Sequence, residues 1–138
     1  YTDRPIVVRP HPRGASKGMK VFTKNVSQYK NVSMSVNQTR GGKQGGIGLE
    51  NDLANAYCVV TFNSLSAIEA VTRGIPVYAL DYGSMVWPIA HKDFSQIENL
   101  NYDIDVQDWK NKIAYTMWNK QEVKSGKMWA HLKEVYFK

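Results

Sequence analysis

The sequence carries one cysteine, Cys58, so no internal disulfide can staple it. Cys58 sits in an apolar run and reads as an inert buried thiol, since free cysteine is among the most buried residue types. No apolar run approaches the roughly 18 residues that cross a bilayer, which argues against a transmembrane segment. There is no secretory leader pattern, so the expectation is a cytoplasmic protein, and the sequons opened by Asn25, Asn31 and Asn37 then carry no weight. Neither an internal repeat nor a low-complexity linker is present. Acidic residues are the scarcer charge, 12 against 18 basic ones, and the resulting +6 points to a polyanionic partner. Nucleic acid, a nucleotide and an anionic glycan would each satisfy it. Most of the lysines, at 110, 112, 120, 124, 127, 133 and 138, are spread over what read as solvated helix faces.

Large apolar side chains are plentiful, with four Trp, eight Tyr and four Phe, enough for a real core in one domain spanning residues 1–138. The chain opens at Tyr1, a few residues ahead of an apparent core strand, and so reads as a piece of a longer protein.

The organising stretch is YCVVTFNSLSAIEAVTRGIPVYAL, residues 57–80. Tyr57 to Phe62 is rich in β-branched and aromatic residues, the composition of a buried strand. Asn63, Ser64 and Ser66 interrupt it with N-cap chemistry, and Leu65, Ile68 and Val71 recur at helical spacing. Gly74 ends that helix and Pro76 opens a second apolar run to Leu80. Strand, helix and strand make one right-handed βαβ unit. Ahead of it, RPIVVR (4–9) reads as a strand, HPRGASKG (11–18) as a loop, and NVSMSV (31–36) as an alternating strand. Residues 19–30 fit a short helix or an extended piece equally well. A helix is expected over Leu49–Ala56, one or two helical turns over Phe94–Leu100, and a helix capped by Asp105 carrying Val106, Trp109, Ile113 and Met117 on one face. A last helix is expected over about Ser125–Val135, with Met128, Trp129, Leu132 and Val135 at spacings of one, three and three. The expected fold is α/β: a Rossmann-like layered domain with a mostly parallel sheet of about four strands, helices on both faces and a helical C-terminal tail.

Ligands of open α/β sheets collect beyond the carboxyl ends of the strands. That edge carries Asn63, Ser64 and Ser66, whose hydroxyls and neighbouring first-turn N–H groups suit an anion. Glu69 follows Ser66 at capping-box spacing, and the same carboxylate is equally placed to grip a ribose hydroxyl. Arg9, His11 and Arg13 follow the first strand at the same edge, where two cations flanking a His can hold phosphate oxygens. The glycine-rich 40–48 segment lacks both the Gly-Lys-Ser/Thr ending of a Walker A loop and the G-x-G-x-x-G order of a dinucleotide fold. His91 and His131 have no companions at metal-ligand spacing, and no G-x-S-x-G elbow occurs, so neither a metal nor a cofactor is expected.

RPHPR (9–13) followed by VVTFNSLSAIEAVTRGIPV (59–77) resembles the C-terminal half of a GT-B-fold glycosyltransferase, in particular the bacterial sialyltransferase and Kdo-transferase groups and capsule-synthesis proteins. The resemblance spans roughly residues 4–80. It implies that His11, Ser64 and Ser66 face the phosphate of a nucleotide sugar and that Glu69 approaches the ribose. It also implies a separate N-terminal domain supplying acceptor site and catalytic base. Sugar-nucleotide epimerases of the same architecture are the near rival, and a non-enzymatic nucleotide- or nucleic-acid-binding module is the other.

Overall fold

Short apolar runs form the strands, and they pair two by two, the first with the second and the third with the fourth. In the computed structural model, which describes residues 2–10, 17–35, 48–101 and 103–137, β1 (Ile6–Val8) pairs in parallel with β2 (Val32–Met34), Ile6 opposite Val32 and Val8 opposite Met34. Likewise β3 (Val59–Thr61) pairs in parallel with β4 (Val77–Ala79), Val59 opposite Val77 and Thr61 opposite Ala79. Parallel neighbours need a crossover. Helix α1 (Lys17–Val26) lies between β1 and β2 in the chain, and α3 (Ser66–Thr72) lies between β3 and β4. A short helix, α2 (Leu49–Leu53), precedes β3. The segment left open between helix and extended chain is therefore mostly helical.

The expectation of one four-stranded layer is corrected here: the described residues form two separate two-stranded parallel sheets. Each strand is only three residues long, and no ladder bond joins one pair to the other among the described residues. Ile6 N–H donates to Asn31 C=O and Ser35 N–H to Val8 C=O in one, Val59 N–H to Pro76 C=O and Leu80 N–H to Thr61 C=O in the other. The link between the pairs is made by side chains. The Arg4 guanidinium lies 3.7 Å from the centre of the Tyr57 ring and pairs with Glu98 at 2.9 Å. The Thr2 hydroxyl and then Arg4 hold the Glu98 carboxyl below the usual carboxylate range.

The core gathers on β4, whose three residues are all buried. Ala67, Ala70 and Val71 of α3 are buried, small enough for the helix to lie close to β3 and β4. Gly74, with φ of +76°, ends α3 in the left-handed conformation that glycine adopts without strain. On Tyr78 pack Ile97 and Leu100, with Tyr57, Cys58 and Phe94 at the margin. Phe94 stacks on Tyr78 at 4.5 Å, and the Tyr78 hydroxyl donates to Asp93 C=O at 3.2 Å. Cys58 is half-buried rather than fully so, and burial pushes its thiol up, which keeps it protonated at neutral pH.

The connection after β4 is more ordered than its composition suggests. It contains 3₁₀ turns at Trp87–Ile89 and Phe94–Gln96, the second capped by Asp93. Between them His91 adds a one-residue parallel bridge to Tyr78, its N–H donating to Val77 C=O at 2.8 Å. The His91 ring lies 5.4 Å from that of Tyr78, and its buried Nε2 has no hydrogen-bond partner among the described residues. A buried unsatisfied nitrogen costs about 1–3 kcal/mol. His91→Phe keeps a ring against Tyr78 and removes that nitrogen, so urea unfolding is expected to show unchanged or slightly raised stability. A loss above about 1 kcal/mol would contradict the assignment.

The chain divides into two compact units, Tyr1–Tyr102 and Asp103–Lys138. In the second, α4 (Gln107–Thr116) starts where Asp105 Oδ1 accepts the Gln107 N–H at 2.9 Å. Met117 lies beyond the helix and is exposed, outside the apolar face expected for it. The tail helix expected over 125–135 is α6 (Lys127–Tyr136); a short helix that was not expected, α5 (Lys120–Lys124), precedes it, and Gly126 with φ of +77° lies between them. A capping box opens α5: Asn119 Oδ1 accepts the Gln121 and Glu122 N–H groups, and Glu122 accepts the Asn119 N–H.

Candidate functional site

The carboxyl ends of β3 and β4 are joined by a side-chain bridge. Asn63 follows β3 and Asp81 follows β4, and Asn63 Nδ2 donates to Asp81 Oδ2 at 2.7 Å. Asp81 Oδ1 also accepts the Gly83 N–H at 3.2 Å. Beside this bridge the Ser64 N–H donates to Thr61 Oγ1 at 3.1 Å, and the Ser64 and Ser66 hydroxyls sit 2.8 Å apart. All three expected residues of this turn, Asn63, Ser64 and Ser66, therefore lie in one polar cluster at the predicted edge.

Two finer expectations are corrected. The N–H groups opening α3 are not open to an anion: Ser66 N–H donates to Ser64 Oγ at 3.3 Å, Ala67 N–H to Ser64 C=O and Ile68 N–H to Leu65 C=O. The turn satisfies its own donors because a serine two residues ahead of Ser66 folds back on it. Nor do Ser66 and Glu69 form a capping box. Ser66 is the first helical residue, Leu65 precedes it with helical torsions, and no side chain caps the start. Glu69 is exposed on α3, leaving its carboxylate to solvent or ligand.

Arg9 directly follows β1, as expected, but its guanidinium is engaged. It pairs with Asp52 of α2 and donates to Ser35 Oγ at 3.4 Å, while Ser35 Oγ donates to Asp52 Oδ2 at 2.7 Å. The side chains of Arg9 and Asp52 are 26% and 18% exposed, so the pair is shielded from bulk water on most sides. Arg9 thus ties the end of β1 to α2 and to the residue after β2. His11 and Arg13 lie outside the described residues, as does most of the 40–48 glycine segment.

Sequence reasoning missed the apolar flank of the β3–β4 edge. Phe62 is 67% and Tyr82 83% exposed, with Leu65 and Leu80 also out in solvent. A signal existed: extending the Thr61–Ala79 register by one and two residues sets Phe62 beside Leu80 and Asn63 beside Asp81. An open hollow of about 510 Å³ also occurs, lined by Thr2, Asp3, Arg4 and Glu98. It lies at the amino end of β1, the opposite end from the edge where parallel sheets bind ligands, and its acidic and basic walls already neutralise each other. Among the described residues no group of His, Cys, Asp or Glu is placed to hold a metal ion. No helix there is long and apolar enough to cross a membrane.

The class of protein that fold and edge define is a mixed α/β protein built from parallel strand pairs with polar carboxyl-end turns. Compared with protein-family models, curated proteins and solved structures, the chain matches none of them.

Proposed function

We propose that the chain is the nucleotide-sugar-binding half of a glycosyltransferase-like protein. The phosphate would lie between the loop after β1 and the Asn63–Ser66 turn. The observation that carries this reading is the polar cluster of Asn63, Ser64, Ser66 and Asp81 at the carboxyl ends of two parallel strands. Support comes from the Arg4–Tyr57 stack, which holds the amino end of β1 against the residue leading into β3. Because the α3 N–H groups are internally satisfied, hydroxyls and side chains rather than backbone donors would hold the phosphate. Exposed Phe62 or Tyr82 would offer a ring face to the base, and Glu69 a carboxylate to the ribose. Acceptor and catalytic base would come from another domain, so the isolated chain should bind nucleotides weakly and transfer nothing.

Calorimetric titration of CMP, UDP and GDP tests this. Ser64→Ala should weaken the preferred nucleotide about ten-fold, at about 1.4 kcal/mol per decade, and lower stability by about 0.5–1.5 kcal/mol through the lost bond to the Ser66 N–H. Glu69→Gln should also lose affinity. If no nucleotide binds, or both variants bind as tightly as the parent, the phosphate reading is abandoned.

A further inference from the structure

The positive charge of the chain is not spread evenly along it. Between Asp3 and Glu50 stand nine Lys and Arg residues and not one Asp or Glu. Outside that stretch nine basic residues are set against twelve acidic ones, so the whole excess of +6 originates within it. Two of the nine are matched by acids from later in the chain, Arg4 by Glu98 and Arg9 by Asp52. Lys24 and Lys30 are exposed and have no acidic partner among the described residues.

Helix α1 collects part of this charge in one row. Lys17, Lys20 and Lys24 occupy positions i, i+3 and i+7, which share a helix face. Thr23 and Val26 are half-buried positions of a helix that packs against β2, and Val21 and Lys24, on the lysine side, are exposed. The row works against the helix that carries it. Like charges three and four residues apart repel. Lys17 also opens a helix end that is itself positive, with no acid in the first turn to offset it. A line of phosphates laid along the row would turn each of these repulsions into an attraction.

The row is about 10 Å long at ~1.5 Å of rise per residue. Duplex nucleic acid presents a negative charge every ~1.7 Å of its axis, the denser match to such a row, whereas a single strand has about half that density. Single strands are also held by bases stacked on aromatic rings, and bilayers by apolar side chains set beside the charges. Positions 17, 20, 21 and 24 include no aromatic residue, and Val21 is their one large apolar residue.

We propose that α1 is a docking surface for the phosphate backbone of duplex nucleic acid, held by Lys17, Lys20 and Lys24 without reading the bases. The surface does not depend on the nucleotide reading. Lys24 is in the last turn of α1, the end that leads into β2 and not the end that follows the carboxyl edge of β1.

Fluorescence anisotropy of a labelled random-sequence DNA duplex, titrated with the full chain, tests it. Three phosphate contacts predict a log–log salt slope of about −2.7, so binding should weaken about forty-fold from ~0.05 to ~0.2 M salt. Lys24→Gln should weaken binding about five-fold at the lower salt and make the slope shallower by about one. The double variant Lys17→Gln, Lys20→Gln should remove about two. Lys133→Gln, in the Asp103–Lys138 unit, should match the parent. The free variants of α1 should melt no lower than the parent, because each relieves repulsion along the row. No binding at the lower salt, a slope unchanged by Lys24→Gln, or an equal loss with Lys133→Gln would overturn the proposal. So would tighter binding, lost with the same lysines, to a single strand of equal length, to heparin or to phosphatidylserine vesicles, since the row would then serve a different polyanion.

Discussion

Replacing Tyr78 with alanine is expected to destabilise the Tyr1–Tyr102 unit by about 3–5 kcal/mol, the range for truncating a fully buried aromatic. Tyr78 has no solvent-exposed surface, stacks on Phe94 at 4.5 Å, and is the residue on which Ile97 and Leu100 converge. A natural domain holds only about 5–15 kcal/mol in total, so this one change would remove a large share of it. Tyr78→Phe separates packing from hydrogen bonding. It loses only the bond to Asp93 C=O, an effect of about 0.5–1.5 kcal/mol. Urea unfolding of the three chains checks both values. Equal losses for alanine and phenylalanine would show that the hydroxyl, and not the ring, holds this core.

The second large effect is expected at Asp52. Asp52→Ala removes the acceptor shared by Arg9 and Ser35, inside a cluster most of whose surface is shielded. Hydrogen bonds to charged groups contribute about 1.5–3 kcal/mol, and an equilibrium loss of that size is predicted from urea unfolding. Replacing Arg9 and Asp52 together by methionine and leucine should recover much of it, because an apolar pair need not be desolvated as ions. The same site makes a functional prediction. If the loop after β1 meets a phosphate, removing the negative Asp52 should strengthen nucleotide binding several-fold while weakening the fold. Stability and affinity would then move in opposite directions. A loss of both would mean that Arg9 serves only to fasten β1 to α2.

Much of the central βαβ unit was legible in residues 57–80, because a β-branched run, a serine-rich turn, a helical repeat and a Gly-x-Pro exit all point the same way. Strands at Ile6–Val8 and Val32–Met34 were legible as well, but not that they pair with each other. What periodicity does not specify is which strand lies beside which: Ile6 and Val7 are apolar enough for a buried layer, yet both are exposed. The same blindness applies to α6. Spacing marks an apolar face but not whether a neighbour covers it, and Trp129 proves to be on the uncovered flank. The helix over Lys127–Tyr136 was legible from its apolar spacing, whereas the short helix ahead of Gly126, Lys120–Lys124, has too few apolar residues to show a period. In the candidate site, the placement of Asn63, Ser64 and Ser66 followed from strand order alone. That Ser64 would satisfy the donors of its own turn did not, since a serine near a helix start can cap, fold back or face a ligand with identical spacing.

The claim on which the functional account rests is that a nucleotide lies at the carboxyl edge between β1 and β3. An amide chemical-shift map of the isotope-labelled chain, titrated in turn with CMP, UDP and GDP, tests it most directly. The account predicts that one nucleotide moves the amides of Asn63, Ser64, Ser66 and Arg9 together, with a single saturation curve. Shifts centred instead on Thr2, Asp3, Arg4 and Glu98, or no shifts with any of the three nucleotides, would contradict it.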